Sequence, residues 1–438
     1  MPAPKQFEEK YISIAEAISK IKSHNTVGIG IAGSEPVGML TALAENAQQI
    51  EDVHFWTCLP MRAYDIFSKT EMGGHIFNEN WFYTATDRLV HPEGRVSYIP
   101  NNLHLAATDK LYMTGGHLDV FLGTATPPNE EGYMSLSLGL IVEKDLLEAA
   151  DLKILEVNEN LPWTYGDTLV HVSEVDFLVE NHVPLVELPS VPPSEVEQQI
   201  GGYIADLIDD GSTIQLGIGG IPNAITAFIM ERKDLGVHTE MIVDGIVDLV
   251  EAGVVTNARK TLHPGKIVGV FALGTQKLYD FLDQNPDVEM YRGRYINDPY
   301  VIAKNKKMIS VNTALQVDIM GQVCSQSIGT RQFSGTGGQL DTHRGAQMSD
   351  GGRGIIALRS TAKNGSISTI VPTLAPGAGV TVPSQDVDTI ITEFGVAELR
   401  GRSVKDRMEA LIKVAHPNFR EWIRDEAHRL GIVPKSQF

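Results

Sequence analysis

The chain has 438 residues, 42% of them hydrophobic and 21% charged, with a formal net charge of −19. It can bury two cores, and its acidic balance excludes non-specific nucleic-acid binding, which needs clustered Lys and Arg to displace counterions from phosphates. Cys58 and Cys324 are too few for a disulfide framework and carry no metal spacing, so a reducing compartment, the cytoplasm, is expected.

The opening Met1 to Lys10 lacks a long apolar core and a small-residue cleavage site, and no later run approaches eighteen apolar residues; neither a leader nor a membrane span is expected. Ala17, Ile18 and Ile21 mark a first helix that closes on a polar turn before Asn25-Thr-Val-Gly-Ile-Gly-Ile-Ala-Gly33, with a strand over 27–31. The triplet Gly28, Gly30, Gly33 reads formally as G-x-G-x-x-G. Two features count against a dinucleotide site: Glu51 and Asp52 precede the next strand instead of following it, and Glu35 falls where a pyrophosphate would lie.

A helix follows over 40–47, then a strand opening Val53-His-Phe-Trp56, and further apolar runs over 120–123 and 153–157. Four prolines between Pro184 and Pro193 break helix and sheet, and Ser194 with Glu197 then forms a capping box ahead of Ile200, Ile204 and Ile208. A second domain is expected to begin there, giving domains 1–190 and 191–438.

The second half repeats the first. Ser212-Thr-Ile-Gln-Leu-Gly-Ile-Gly-Gly220 matches 25–33 in one register, and Ile204, Ala205 and Ile208 match the helix before it. Strands over 214–218, 267–273 and 389–393 and a helix over 224–230 complete the pattern. The runs are apolar on both faces, as strands of a covered parallel sheet are, so the fold class is α/β: two similar open α/β domains from an internal duplication, with a site expected between the halves.

The copies differ at Val237-His-Thr-Glu240, which places a carboxylate where the first copy reads Val53-His-Phe-Trp56. Gly217 to Asn223 runs from strand to helix, a geometry whose freed N–H groups face an anion, and Ser334 to Asp341 is a second glycine cluster. Asp244 and Asp248 fit a helix start, and the charged stretch from Glu398 to Arg429 fits solvated helices. His238 and His263 lack partners at metal spacing, and no H-E-x-x-H motif or nucleophile elbow occurs, so no metal is expected.

Together, Glu240 in His-Thr-Glu-Met, Gly217-Ile-Gly-Gly-Ile-Pro222, Gly335-Thr-Gly-Gly-Gln-Leu-Asp341, Glu393 to Gly401 and Ala415-His-Pro-Asn-Phe-Arg420 resemble the acetyl-CoA hydrolase/transferase family of CoA-transferases. The resemblance covers nearly the whole chain. It implies paired CoA-transferase domains of NagB/RpiA-like fold, and CoA transfer between a short-chain acyl-CoA and a carboxylate such as acetate through a covalent glutamyl-CoA thioester. Acetate, butyrate and 4-hydroxybutyrate stay open as acyl groups, as does a hydrolase on the same scaffold or a non-catalytic metabolite-binding protein.

The resemblance makes Glu240 the nucleophile and places oxyanion donors at Ile218 or Gly219 and at Gly337 or Gly338. It lays the CoA path along Gly217, Ile218, Gly219, Gly220 and Ile221, with Gly338 beside it. It draws the acid-substrate pocket from the first half, where Asn101, Asn102, His104 and Tyr133 lie in matching segments. Coenzyme A enters as substrate with no permanently bound cofactor, and a homo-oligomer is implied.

Overall fold

Strand β1 (Thr26–Ile29) ends in a turn so tight that a Cβ on Gly30 would lie 2.1 Å from the Ser34 carbonyl oxygen, so no larger residue fits. The computed structural model describes residues 5–435. In it β1 is joined by β2 (Val53–Thr57), β3 (Ile76–Asn80), β4 (Val96–Tyr98), β5 (Leu118–Ala125), β6 (Ala150–Val157) and β7 (Phe177–Glu180). These form one sheet in the order β7-β6-β5-β1-β2-β3-β4, parallel throughout.

Alternation along each strand feeds two cores. Val120 and Leu122 of β5 pack with Val27, Phe55 and the helix Val37–Asn46, whereas Phe121 packs on the opposite face with Trp56, Leu146 and Leu155. Each such side chain contributes about 1.5–3 kcal/mol by leaving water. Burial on both faces is why these strands read as continuous apolar runs.

The second sheet contains β8 (Thr213–Gln215), β9 (Gly236–Val237), β10 (Met308–Thr313), β11 (Arg353–Ala357), β12 (Thr389–Thr392) and β13 (Gly395–Glu398). Its order is β9-β8-β10-β11-β12-β13, parallel except for the last pair. β8 lies between β9 and β10 as β1 lies between β2 and β5, and β11 and β12 follow as β6 and β7 do. The two similar open α/β domains are therefore present, five strands of each sheet corresponding in order, with β3 and β4 added to the first and the antiparallel β13 to the second. The capping box is formed as read, with Glu197 accepting from Ser194 N–H (2.8 Å) at the head of the helix Glu195–Ala205.

Two sequence expectations need correction. The repeat alignment slips by two: Thr26 pairs with His54 but Thr213 pairs with Gly236, so Cys58, not Trp56, is the first-half counterpart of Glu240. A shift of two keeps every side chain on its own face, so apolar patterning could not detect it.

The domain division also differs. One compact unit runs to Pro189 and takes in Glu240–Asp244 and Ile267–Ile296; the other holds Ser190–Thr239, Gly245–Lys266 and the chain from Asn297 onward. The inserted segments join the first unit by strand pairing. Met241–Ile242 pairs with Phe271–Ala272, whose backbone bonds to Leu138, and Val288–Met290 pairs with both Ile267–Gly269 and Tyr165–Gly166. The single strand expected over 267–273 is therefore two, each with its own partner.

Candidate active site

In the second unit both glycine loops stand at the carboxyl ends of neighbouring parallel strands. Gly217 to Gly220 follows β8 and opens the helix Gly220–Phe228; Gly335 to Gly338 opens the helix Gln339–Met348, whose Gln339 amide donates to Thr313 O (3.2 Å) at the end of β10. The chain departs in opposite directions from β8 and β10, which is where open parallel sheets admit ligands.

Gly219 has φ 108° and ψ −176°, backbone closed to other residues, and Gly337 has φ 52°. Ile218 is 47% exposed as a result, while Ile221 turns inward. Gly220 is constrained from below, because a Cβ there would lie 2.4 Å from the Glu197 carboxylate, itself paired with Arg359 at 2.9 Å. The free N–H groups of the helix start are therefore presented on a braced turn.

Beneath the loops runs a polar ladder that sequence reading missed. Ser310 donates to Gln215 Oε1 (2.7 Å), and the Asn312 amide reaches Ser310 Oγ (3.0 Å) and Thr342 Oγ1 (3.1 Å), tying β8, β10 and the second helix together. Single polar residues inside apolar strands were its only trace in the sequence.

Glu240 belongs to the first unit. It is half-buried, and its carbonyl oxygen accepts N–H bonds from Val270 and Phe271, both 3.1 Å, which fix the start of the strand Met241–Ile242. Asp244, two residues beyond that strand, accepts from the Thr275 N–H and hydroxyl. Cys58 is buried close by: burial first, and then the negative field of Glu240, push its thiol well above the ordinary range.

Glu143 completes this region. It accepts from Ile31 N–H (3.2 Å) and Val142 N–H (3.0 Å), yet its complete burial pushes it up to about 7. Its carboxylate and the Ser34 hydroxyl occupy the space beside Gly139, which bridges to Phe271.

The half-buried residues Asn101, Asn102 and His104 flank Leu103, which packs into the cluster containing Cys58 and Trp56. Tyr133 is separate: Met134 enters that cluster, while Tyr133 is 40% exposed and sets its ring edge-on to His171 at 5.1 Å.

The helix after Gly33 is already capped from within, its Gly38 and Met39 N–H groups bonding to Glu156 at 3.1 and 3.0 Å, which leaves the first glycine triplet no pyrophosphate site. Among the described residues no group of His, Cys, Asp and Glu could hold a metal, and no helix is long and apolar enough to cross a membrane.

Comparison with known proteins agrees with these features. The acetyl-CoA hydrolase/transferase N-terminal domain matches residues 1–188, and the C-terminal domain of that family matches 274–427. The chain is 43% identical to 4-hydroxybutyrate coenzyme A transferase of Clostridium kluyveri, over 96% of this chain and 97% of that one. It is 41% identical to succinyl-CoA:cyclohexane-1-carboxylate CoA transferase of Geobacter metallireducens, over 98% and 97%. The crystal structure of RipA from Yersinia pestis superposes with a TM-score of 0.91 at 36% identity, covering 98% of this chain and 99% of that one.

Proposed function

The chain belongs to the acetyl-CoA hydrolase/transferase family and is a CoA-transferase, and on that premise we propose that it moves CoA between 4-hydroxybutyryl-CoA or butyryl-CoA and a carboxylate such as acetate. The observation that carries this reading is Glu240, a half-buried carboxylate whose backbone is held by two hydrogen bonds, in a chain similar nearly end to end to named CoA-transferases.

The Glu240 carboxylate attacks the thioester carbonyl carbon. The C–S bond breaks, CoA leaves as thiolate, and a mixed anhydride remains. The thiolate then attacks the glutamyl carbonyl, expelling the acyl group as a carboxylate and leaving a glutamyl-CoA thioester. A second carboxylate reverses both steps and departs as the new acyl-CoA.

The anhydride keeps the thioester's free energy, which hydrolysis would discard, so water must be kept from it. Each step passes through a tetrahedral oxyanion, and loss of one preorganised N–H donor costs about 3 kcal/mol. Ile218 or Gly219, and Gly337 or Gly338, are the donors. The stretch Gly217–Ile221 and Gly338 line the pantetheine path, and Asn101, Asn102, His104 and Tyr133 serve the acid substrate. Coenzyme A acts as substrate with no resident cofactor, in a cytoplasmic homo-oligomer.

The test is the intact mass of the protein mixed with butyryl-CoA without acceptor, beside Glu240→Ala. A gain of CoA less one water, absent from the variant and discharged by acetate as acetyl-CoA, is expected. Free CoA accumulating with no adduct would instead identify a hydrolase.

A further inference from the structure

Within the first unit the backbone of Glu240 is laid on a template formed by Leu138, Gly139 and Leu140. Gly139 bridges to Phe271, Ala272 N–H donates to Leu138 O (2.9 Å), and Leu140 N–H donates to Val270 O (3.0 Å). Val270 and Phe271 are in turn the two donors to the Glu240 carbonyl oxygen. Whatever fixes the template therefore fixes the start of the Glu240 strand.

Glu143 lies against that template. One carboxylate oxygen accepts from Ile31 N–H (3.2 Å), in the turn after β1, and the other from Val142 N–H (3.0 Å). A Cβ on Gly139 would lie 2.5 Å from Glu143 Oε1 and 2.7 Å from the Ser34 hydroxyl, so the side chain fills the gap between the turn and the template. The carboxylate is buried, and among the described residues no cation pairs with it. Burial pushes it up to about 7, against the pull of the surrounding backbone N–H groups. A charge so placed is costly, and only those N–H groups offset the cost.

The two carboxylates share a neighbourhood. Beyond the effect of burial, the fields of both Glu240 and Glu143 push up the thiol of Cys58, at the end of β2. On the helix that Glu143 opens, the next acid is Asp145, which is paired with Arg292 at 2.9 Å and Arg294 at 3.3 Å.

We propose that Glu143 is a positioning residue for the nucleophile: its ionised carboxylate ties the turn after β1 to Leu138–Leu140 and so sets the backbone from which Glu240 attacks. This rests on the CoA-transferase reading with Glu240 as nucleophile. A protonated Glu143 must donate from one oxygen and can no longer accept from every N–H around it, so the tie loosens on the acid side. A neutral amide at this position has the same defect at every pH.

The rate of glutamyl-CoA formation from butyryl-CoA, read by intact mass after rapid quenching, is measured from about pH 5.5 to 8.5 in the wild type and Glu143→Gln. The wild-type rate should rise through about pH 7. Glu143→Gln should stay flat near the wild-type acid limit, about 10- to 100-fold below the alkaline rate, with half-saturation by butyryl-CoA moved less than about threefold. Cys58, Asp145 and Glu240 are all retained in that variant, so the difference between the profiles belongs to Glu143. Gly139→Ala, which leaves Glu143 in place but displaces its carboxylate, should slow the same step. A wild-type profile with no rise near pH 7, or a Glu143→Gln protein of lowered thermal midpoint but wild-type rate and profile, overturns the assignment. A wild type that forms adduct beside unaffected variants removes only Glu143's role; a wild type that never forms it removes the transferase reading as well.

Discussion

Placing alanine at Gly219 separates backbone strain from steric clash. Gly219 has φ 108° and ψ −176°, while a Cβ added there meets nothing within 4 Å. Gly217 has equally open surroundings and no positive φ, which makes Gly217→Ala the matched control. A side chain held in the Gly219 conformation costs on the order of 1–3 kcal/mol. The control adds the same methyl without that strain and gains about 0.4–1 kcal/mol from a stiffer unfolded chain. Hydrogen exchange of the amides in Gly220–Phe228 reads the difference locally, so it does not require the whole chain to unfold in one step. Gly219→Ala should speed exchange there by roughly 5- to 150-fold relative to Gly217→Ala. If the peptide relieves its strain by turning over, the adduct with butyryl-CoA should also form about 100- to 1,000-fold more slowly, as for loss of an oxyanion donor. Equal exchange in the two variants would refute the strain argument.

Glu35 should make stability depend on pH. Its carboxyl is raised from 4.5 to about 8 in the folded state, so the folded chain holds a proton that the unfolded chain releases between those values. The contribution is fully present below about 4.5 and is lost as pH rises through 8, a swing of up to about 5 kcal/mol; thermal midpoints of wild type minus Glu35→Gln should fall over that range, and a flat difference would count against the buried neutral acid. Arg292 donates to Asp167 (2.6 Å), Asp145 (2.9 Å) and Glu148, and Asp145 is almost wholly buried. Arg292→Met should lower stability by about 1–3 kcal/mol, because buried Asp145 then keeps only Arg294 at 3.3 Å as a cationic partner, while a midpoint within a degree of wild type would show that the network is solvated.

The repeated helix-strand-glycine phrase was legible because each of its parts has a local cause. Apolar runs with two buried faces, a capping box at Ser194 and Glu197, and glycines at the strand ends all appear where the sequence puts them. The inserted segments were not legible. Met241–Ile242 and Phe271–Ala272 are two-residue strands, too short for any periodicity, and their partners lie across the chain. Glu240 was therefore legible as a residue, but the pairing that places its strand with the first unit was not. Cys58 gave no signal beyond its count, since its place as the counterpart of Glu240 depends on sheet register. The ladder of Gln215, Ser310 and Asn312 was hidden for a related reason: hydrogen-bond partners 95 and 97 residues apart leave no pattern in a local window.

The interleaved chain path also bears on how the protein is made. A nascent chain leaving the ribosome has all seven strands of the first sheet by Glu180, and that sheet can form early. The strand pair that holds the Glu240 carbonyl cannot close until Phe271 and Ala272 emerge, and the pairing that joins Tyr165–Gly166 to the later segments waits for Met290. Ribosome-bound chains halted before and after this stretch should thus differ in protease resistance at Leu138–Leu140, although both carry a finished sheet. For the same reason, cutting at the proline-rich seam would yield a first fragment lacking the two segments that complete it, so Glu240 reaches its final position only after about two thirds of the chain has been synthesised.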